Sequence, residues 1–375
     1  MKNNTRRLTA TITSGIVALI LMISASTFGG AVQLNDRMLI QGIGVDQTEE
    51  GVKVSVQASQ AEEEGNIAFQ QTEGRTLLEA LDKLVQKSGK IPLYSHNTTI
   101  VLGKECGEKG VEGIMDFFIR YYETRPSVSV FLAEGKAEDI LGLQKDGKYV
   151  EAKNLTRISQ SGFANGWIPN VRVIDFVNQL KGEGSSPYMP VLSVQEGEVE
   201  AIGTALFRQD QYCGMLTPEE SRVLLLLTKG LSGGQIVAEF PETGKVTFTI
   251  RQANGAVYPE IQNDQPCLSI QTEGVVEISA MDIMSPMEDW DHRDEFLEKI
   301  EGSISQELTG QIQHVLEKTL HDWHTDPFGI GRTLMQRETA WWKKNSQTWE
   351  EEMSQTKLQV SSQLTVLRVE QEVAP

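Results

Sequence analysis

The chain has 375 residues, 39% of them hydrophobic, enough to bury substantial cores and, at about 100–200 residues per domain, to build two or three of them. Its net charge of -18 argues against nucleic acid as a partner, because phosphate binding concentrates Lys and Arg on one face, and no RNP, zinc-finger or basic-region pattern is present. Cys106, Cys213 and Cys267 stand far apart with no Cys-x-x-Cys pair, which predicts neither a disulfide framework nor a zinc site.

Lys2, Arg6 and Arg7 precede an uncharged run whose centre, Gly15 to Ile23, is continuously apolar. From Ala10 to Val32 the run would span about 34 Å as a helix, enough to cross a hydrocarbon core. The preceding positive charges place the amino terminus inside and the acidic remainder outside. Ser24-Ala25-Ser26 equally supports a cleaved signal peptide. Both alternatives export everything beyond about residue 34.

Beyond this segment, Leu39–Asp46 and the alternating Val52–Ala58 predict a hairpin with one buried face. Leu77, Leu78, Leu81, Leu84 and Val85 recur at helical spacing up to Gly89, and Thr98–Gly103 reads as a strand. A helix over 111–122 carries Ile114, Phe117, Phe118 and Tyr121, followed by a strand at Val128–Leu132 and a helix at Ala137–Leu141. Residues 142–195 read as a polar loop, a helix with Val171, Ile174, Phe176, Val177 and Leu180, a Gly/Ser/Pro loop from Gly182 to Pro187, and a strand around Val191. Ala201–Phe207 begins a strand that Cys213–Leu216 continues, and Thr217 caps a helix over Pro218–Thr228 with proline at its first position. Strands at Val246–Arg251 and Cys267–Ile278 precede a long helix from Asp294 to Leu320 with an apolar stripe from Phe296 to Leu320. Lys357–Arg368 alternates as a closing strand. Strands beside segregated helices predict an α+β, multi-domain chain with mixed and antiparallel sheets. The divisions fall at 1–33 for the signal peptide or anchor, 34–141 for an amino-terminal domain, 142–198 for a smaller middle domain and 199–375 for a carboxy-terminal domain.

Several motifs point to chemistry and fail on inspection. Leu231-Ser232-Gly233-Gly234-Gln235 spells the ABC-ATPase signature and Gly142–Tyr149 almost spells a Walker A loop. Position 149 is Tyr where a magnesium-binding hydroxyl is required, and the loop follows a helix instead of preceding one, so no nucleotide is expected. His321 and His324 lie one helical turn apart beside Asp322 and Asp326, but no third ligand converges, and helix ends accept histidines through the dipole, so no metal or other cofactor is expected. No Gly-x-Ser-x-Gly elbow exists, and Glu350-Glu351-Glu352 reads as a solvated face, so no catalytic residue is assigned. Four of the six tryptophans, Trp323, Trp341, Trp342 and Trp349, crowd the segment after the long helix. Gly329 and Gly331 permit a tight turn there, after which the indoles can pack the helix against the final strand.

Taken together, these blocks resemble the Ger(x)C family, the C subunits of spore germinant receptors. The matching residues are Asn35 to Asp46 with Gly42, Gly44 and Asp46; His96 and Ile100–Lys104; Asp116 to Arg120 with Phe117, Phe118 and Arg120; Glu123 and Arg125; and Gly135–Leu141. They continue through Gly203 and Phe207, Gly214–Leu216 and Glu220, to Asp326, Phe328, Gly329, Gly331, Trp342, Lys343 and Trp349. Two features depart from the pattern. The lipidated cysteine of the family aligns near Phe28, so no lipid attachment is possible and an uncleaved helix would anchor the chain; the proline before the Trp-Lys pair is also missing, with Thr339 nearest. The resemblance implies a non-enzymatic, extracytoplasmic subunit in the spore inner membrane beside a membrane-embedded A-type and a transporter-like B-type subunit, acting in assembly and signalling of nutrient-triggered germination. It also implies a last domain with a curved sheet on a long helix. A membrane-anchored solute-binding module delivering a nutrient to a transporter-like partner is the alternative.

Overall fold

The structure is a computed structural model that describes residues 15–17, 37–59, 67–120, 125–241, 244–281 and 293–367. The rest of the apolar amino-terminal run, including Ser24–Ser26 and Phe28, and also Asn35, Asp36, Tyr121 and Glu123, lie outside the described residues. Among those described, no helix is long and apolar enough to cross a membrane.

The chain opens with strands β1 (Arg37–Gln47), β2 (Val52–Ser59) and β3 (Ile67–Gly74), an antiparallel meander. Helix α1 (Leu77–Ser88) follows, with Thr76 as its cap accepting from the Glu79 amide and Gly89 ending it in the left-handed region. Next come β4 (Ile91–Leu93), β5 (Thr99–Leu102), α2 (Lys104–Lys109), α3 (Glu112–Arg120), β6 (Ser129–Ala133) and α4 (Ala137–Leu141). The near-Walker sequence is a minute hairpin, β7 (Gln144–Lys145) and β8 (Lys148–Tyr149), turning through Asp146 and Gly147 at positive φ. Helices α5 (Ala152–Ala164) and α6 (Val173–Lys181) then lead to β9 (Tyr188–Gln195), β10 (Glu198–Arg208), β11 (Gln211–Leu216) and α7 (Pro218–Thr228). Residues 142–198 thus end in a strand of the same sheet that β1 belongs to.

The large sheet has nine strands in the order β11-β10-β9-β6-β5-β1-β2-β3, with β4 beside the start of β1. Its centre, β9-β6-β5-β1, is parallel and its flanks antiparallel. Two apolar clusters cover its faces: one unites Ile43, Val45, Val56, Ile100 and Leu132 with α1, α3 and α6, the other unites Val101, Phe131 and Leu192 with α4 and α5. The expected one-sided hairpin is therefore buried on both faces, because parallel strands carry crossover helices on each side. The extra burial places Gln57 at 0% exposure, where its Nε2 donates to the Leu141 and Val150 carbonyls and its Oε1 accepts from the Ala152 amide. One side chain thereby satisfies the end of α4 and the start of α5.

A second sheet, β12-β13-β14-β15, is formed by β12 (Gln235–Phe240), the long hairpin β13 (Gly244–Gln262) and β14 (Gln265–Met281), and β15 (Lys357–Val366), which runs parallel to β14. The long helix α8 (Arg293–Leu316), extended by a π-helical turn at Glu317–Asp322, covers it. The helix reaches the edge strand directly: the Leu364 amide donates to Ser305 Oγ and the Val366 amide to Glu301 Oε1. Those bonds close an otherwise open sheet edge. Three short helices, α9 (Ile330–Arg337), α10 (Thr339–Asn345) and α11 (Trp349–Ser354), separate α8 from β15. The α+β class, the mixed sheets and the last sheet on its long helix are all present. Strands β3 and β12 and helix α5 have no counterpart in the sequence reading; α5 is mostly polar and buries only Ala152, Leu155, Ser159 and Gly162. On α1, Leu78 and Val85 flank the buried face and are exposed.

The Gly-Ile-Gly-Val-Asp segment explains how α4 and α5 sit so close to β1. A Cβ at Gly42 would lie 2.5 Å from the Ala152 Cβ, and one at Gly44 would lie 3.0 Å from Leu141. Gly42→Val is expected to force these helices off the strand and to destabilise the fold by about 1–3 kcal/mol, the usual cost of overpacking. Urea unfolding measures it; an unchanged midpoint would show that the close approach is dispensable.

Candidate functional site

Most of the singled-out residues gather at two buried carboxylates. Asp46, 5% exposed at the end of β1, accepts the Ala137 amide on Oδ1 at 2.7 Å and the Glu138 amide on Oδ2 at 2.9 Å, capping α4. Burial pushes its carboxyl above the ordinary range while the two amides pull it back. A Cβ at Gly103 would lie 2.1 Å from Oδ1, so the neighbouring strand end leaves room for this carboxylate only as glycine.

Asp326 is the centre of the second group. It is 1% exposed, and its carboxylate accepts the Ile330 amide at 3.0 Å and the Gly331 amide at 2.8 Å, with the amides of Phe328 and Gly329 close enough to favour its charge. It therefore holds the start of α9, where the unsatisfied amides and the dipole favour a negative charge. Its own backbone pairs reciprocally with Ser186: the Asp326 amide donates to Ser186 Oγ at 2.8 Å and the Ser186 amide to the Asp326 carbonyl at 2.7 Å. Burial pushes the carboxyl up to about 6 against the opposing pull of the four amides.

Ser186 belongs to the loop between α6 and β9, and this loop is the other half of the junction. Gly184, at φ 67°, lies so close to Gly331 that a Cβ on either would come within 2.4 to 2.7 Å of the other's backbone. Only glycine fits both the left-handed conformation at 184 and the contact. The Arg332 amide donates to the Gly184 carbonyl and its guanidinium to Ser185 Oγ. Over this contact lie the indoles. Trp342 and Trp349 pack at a 59° tilt with ring centroids 5.5 Å apart, Trp341 meets Trp349 edge-on at 6.4 Å, Trp342 Nε1 points at Glu183 Oε2 at 3.5 Å, and Trp341 Nε1 donates to the Asp264 carbonyl in the β13–β14 turn. The indoles thus fasten the α9–α11 block to the 182–187 loop and the β13–β14 turn, while α8 reaches the final strand through Ser305 and Glu301. No periodicity marks this partner loop; its Gly-Glu-Gly-Ser-Ser-Pro composition signals a turn but not what the turn holds.

A third contact joins the π-helical turn to the large sheet. Lys318 Nζ lies 2.7 Å from both oxygens of Glu220 and 4.8 Å over the Trp323 ring. That ring packs on Gly214, where a Cβ would come within 2.6 Å of it. Burial acts against the Glu220 charge, but Lys318 and the Thr217 amide hold its carboxyl below the ordinary range. Gly203 marks a bulge in β10, and Phe207 stacks edge-on with Phe176 in the core. Phe118 is buried and Phe117 half-buried on α3. His96, Arg120 and Lys343 are exposed and join neither carboxylate group. His321 and His324 each bond a backbone carbonyl, of Thr356 and Glu350, and among the described residues no set of His, Cys, Asp and Glu converges on a metal position. Beside the Asp326 junction runs a polar groove of about 540 Å³, lined by Glu112, Asp210, Ser186, His324, Glu350 and Glu351 among others.

The sequence matches two family models, "Spore germination protein N-terminal domain" over residues 30–194 and "Spore germination B3/ GerAC like, C-terminal" over residues 202–370. It is 24% identical over 341 residues to spore germination protein GerQC of Bacillus cereus, covering 89% of this chain and 92% of that protein. It is also 24% identical over 294 residues to spore germination protein B3 of Bacillus subtilis (strain 168), covering 76% of each. Among solved structures the GerBC protein superposes with a TM-score of 0.57 at 19% identity, over 87% of this chain and 97% of that one.

Truncating the buried aromatic in Trp342→Ala is expected to cost about 3–5 kcal/mol, whereas Lys343→Ala next to it should stay within about 0.5 kcal/mol in the same denaturation assay. Titration gives an independent check on Asp326. Its folded-state value lies above the unfolded value of 3.8, so its contribution to stability is full below that pH and is lost as pH rises through about 6. Acidification from about pH 7.5 to about pH 5 should therefore stabilise the wild type relative to Asp326→Asn by about 1 kcal/mol. Parallel pH curves for the two proteins would rule this out.

Proposed function

The chain belongs to the Ger(x)C family of spore germination proteins, and on that premise we propose that it is a non-catalytic, extracytoplasmic C subunit of a nutrient-receptor complex, acting in the assembly and signalling of germination beside A-type and B-type membrane subunits. The observation that carries the reading is the pair of family models, which together run from residue 30 to residue 370. The fates of two buried carboxylates support it. Asp46 and Asp326 are buried and engaged by backbone amides inside the protein, which gives both a structural role at a helix start. An apolar run before Arg37, long enough to span a bilayer, supports attachment to the membrane's outer side.

The polar groove beside Asp326 favours a second reading, in which the chain itself captures a small nutrient. Calorimetry of the purified chain with amino acids and sugars separates the two, since micromolar binding would overturn the subunit reading.

Spores of a strain lacking this gene are expected to lose their response to nutrients while still germinating under a trigger that bypasses nutrient receptors. Affinity capture of the tagged chain from spore membranes should bring down A-type and B-type subunits. A full nutrient response in the deletion strain, or capture free of both subunits, would refute the proposal.

A further inference from the structure

The edge of a sheet carries unpaired amides and carbonyls, and this fold engages them at two of its edge strands. On β3 the Glu73 and Gln71 carbonyls accept Lys83 Nζ and Lys87 Nζ from α1, and on β15 the Leu364 and Val366 amides donate to Ser305 and Glu301 of α8. Strand β12, the other edge of the second sheet, has no such cover among the described residues. The Ile250 amide donates to the Gly234 carbonyl, so in the register Ile236↔Phe248 and Ala238↔Val246 the even-numbered residues of β12 bond to β13. The amides and carbonyls of Gln235, Val237 and Glu239 therefore point to the open edge.

Composition offers this edge no protection. The strand Gln-Ile-Val-Ala-Glu-Phe contains no Lys, Pro or Gly, and Val237, at 57%, is the most exposed large apolar side chain among the described residues. The order of its residues fits a second copy of itself. In an antiparallel pair centred on Val237, Val237 faces its own counterpart, Gln235 faces Glu239 and Ile236 faces Ala238. The two-fold repeats each match, so no like charges meet across the seam. Glu239 lies opposite Lys245 on its own β13, and gains an amide side chain on its other side. On one face Val237 loses its exposure; on the other, half-buried Ile236 and Phe240 gain cover from Ala238 and Gly234 of the copy.

We propose that β12 is a self-association surface, through which two copies of the chain join edge to edge, antiparallel about Val237, to make one continuous sheet from two four-stranded ones. Gln235, Val237 and Glu239 each exchange amide and carbonyl with the residue they face. Edge pairing buries less than a standard interface, so the dissociation constant falls in the micromolar range. Because each copy carries a net charge of -18, long-range repulsion opposes the contact and added salt relieves it. The inference does not depend on the receptor reading.

The test is sedimentation of the full chain in density-matched detergent at about 100 µM, where a dimer is expected, with a dissociation constant that falls several-fold as salt rises from about 20 to about 200 mM. Val237→Lys and Val237→Glu, at an exposed position, each set like charges face to face and should weaken the dimer about ten-fold, whereas their equimolar mixture should restore it as a heterodimer and so show that both variants fold. A short bis-maleimide should join Val237→Cys chains and leave Val275→Cys chains, altered at an exposed position on β14, unjoined, with the parent chain setting the background from Cys106, Cys213 and Cys267. A wild-type monomer at that concentration and the higher salt overturns the proposal. A dimer that survives both single substitutions, or that is joined equally at 237 and 275, places the contact elsewhere and overturns this edge as its seat. A mixture that stays monomeric overturns the register centred on Val237. In spore membranes, joining of the Val237→Cys chain to a different protein in place of its own copy gives the edge to that protein and overturns the second copy as occupant.

Discussion

A single buried carboxylate sets the arrangement of the carboxy-terminal third. Asp326 gathers the amides that begin α9, and its own peptide group locks onto Ser186 in a loop of the large sheet. Removing this charge from water is costly, and what offsets the cost is a cradle of donors already fixed by the backbone. Because those donors come from residues just after Asp326 while the Ser186 contacts lie 140 positions away in sequence, one residue shapes a turn and joins the two sheet systems. The tryptophans complete the junction by excluding water from it, which raises the strength of each hydrogen bond inside.

The same logic recurs at the other end of the chain. Asp46 caps α4, and Gln57 satisfies the end of that helix and the start of the next. In both places glycine supplies the room: Gly42 and Gly44 admit α4 and α5, Gly103 admits the Asp46 carboxylate, and Gly184 and Gly331 admit each other. These glycines thus stand where backbones and helices approach more closely than a side chain allows. Such positions tolerate little change, because a close-packed interior has no room for an added side chain.

Much of the element order was legible before any coordinates. The helix over Pro218–Thr228 has its bounds written locally, in Thr217 as cap, Pro218 at the first position and Glu220 completing the capping box. Helix α4 and strands β1 and β2 are equally local. Elements whose character depends on neighbours were not legible. Helix α5 is polar because it packs through small residues against β1, and Leu78 and Val85 look like core until the direction of α1 over the sheet is known. The one-sided hairpin became two-sided because crossover helices arrive from residues far along the chain.

By itself, the sequence determined the α+β class, the long amphipathic helix, the closing strand and the tight turn at Asp326–Gly331, since each depends on residues within a few positions of one another. It also carried the family pattern, because a motif is a statement about order and spacing. What lies across the turn was decided only in three dimensions. The sequence shows that the tryptophans must be covered, but the covering surface is a loop whose Glu183 lies 159 residues before Trp342, and β15 runs parallel to β14 because the long helix α8 returns the chain to the β13–β14 turn, its end at His321 lying beside Thr356. Contacts of that range are selected by the packing of whole sheets and helices, and no local periodicity encodes them.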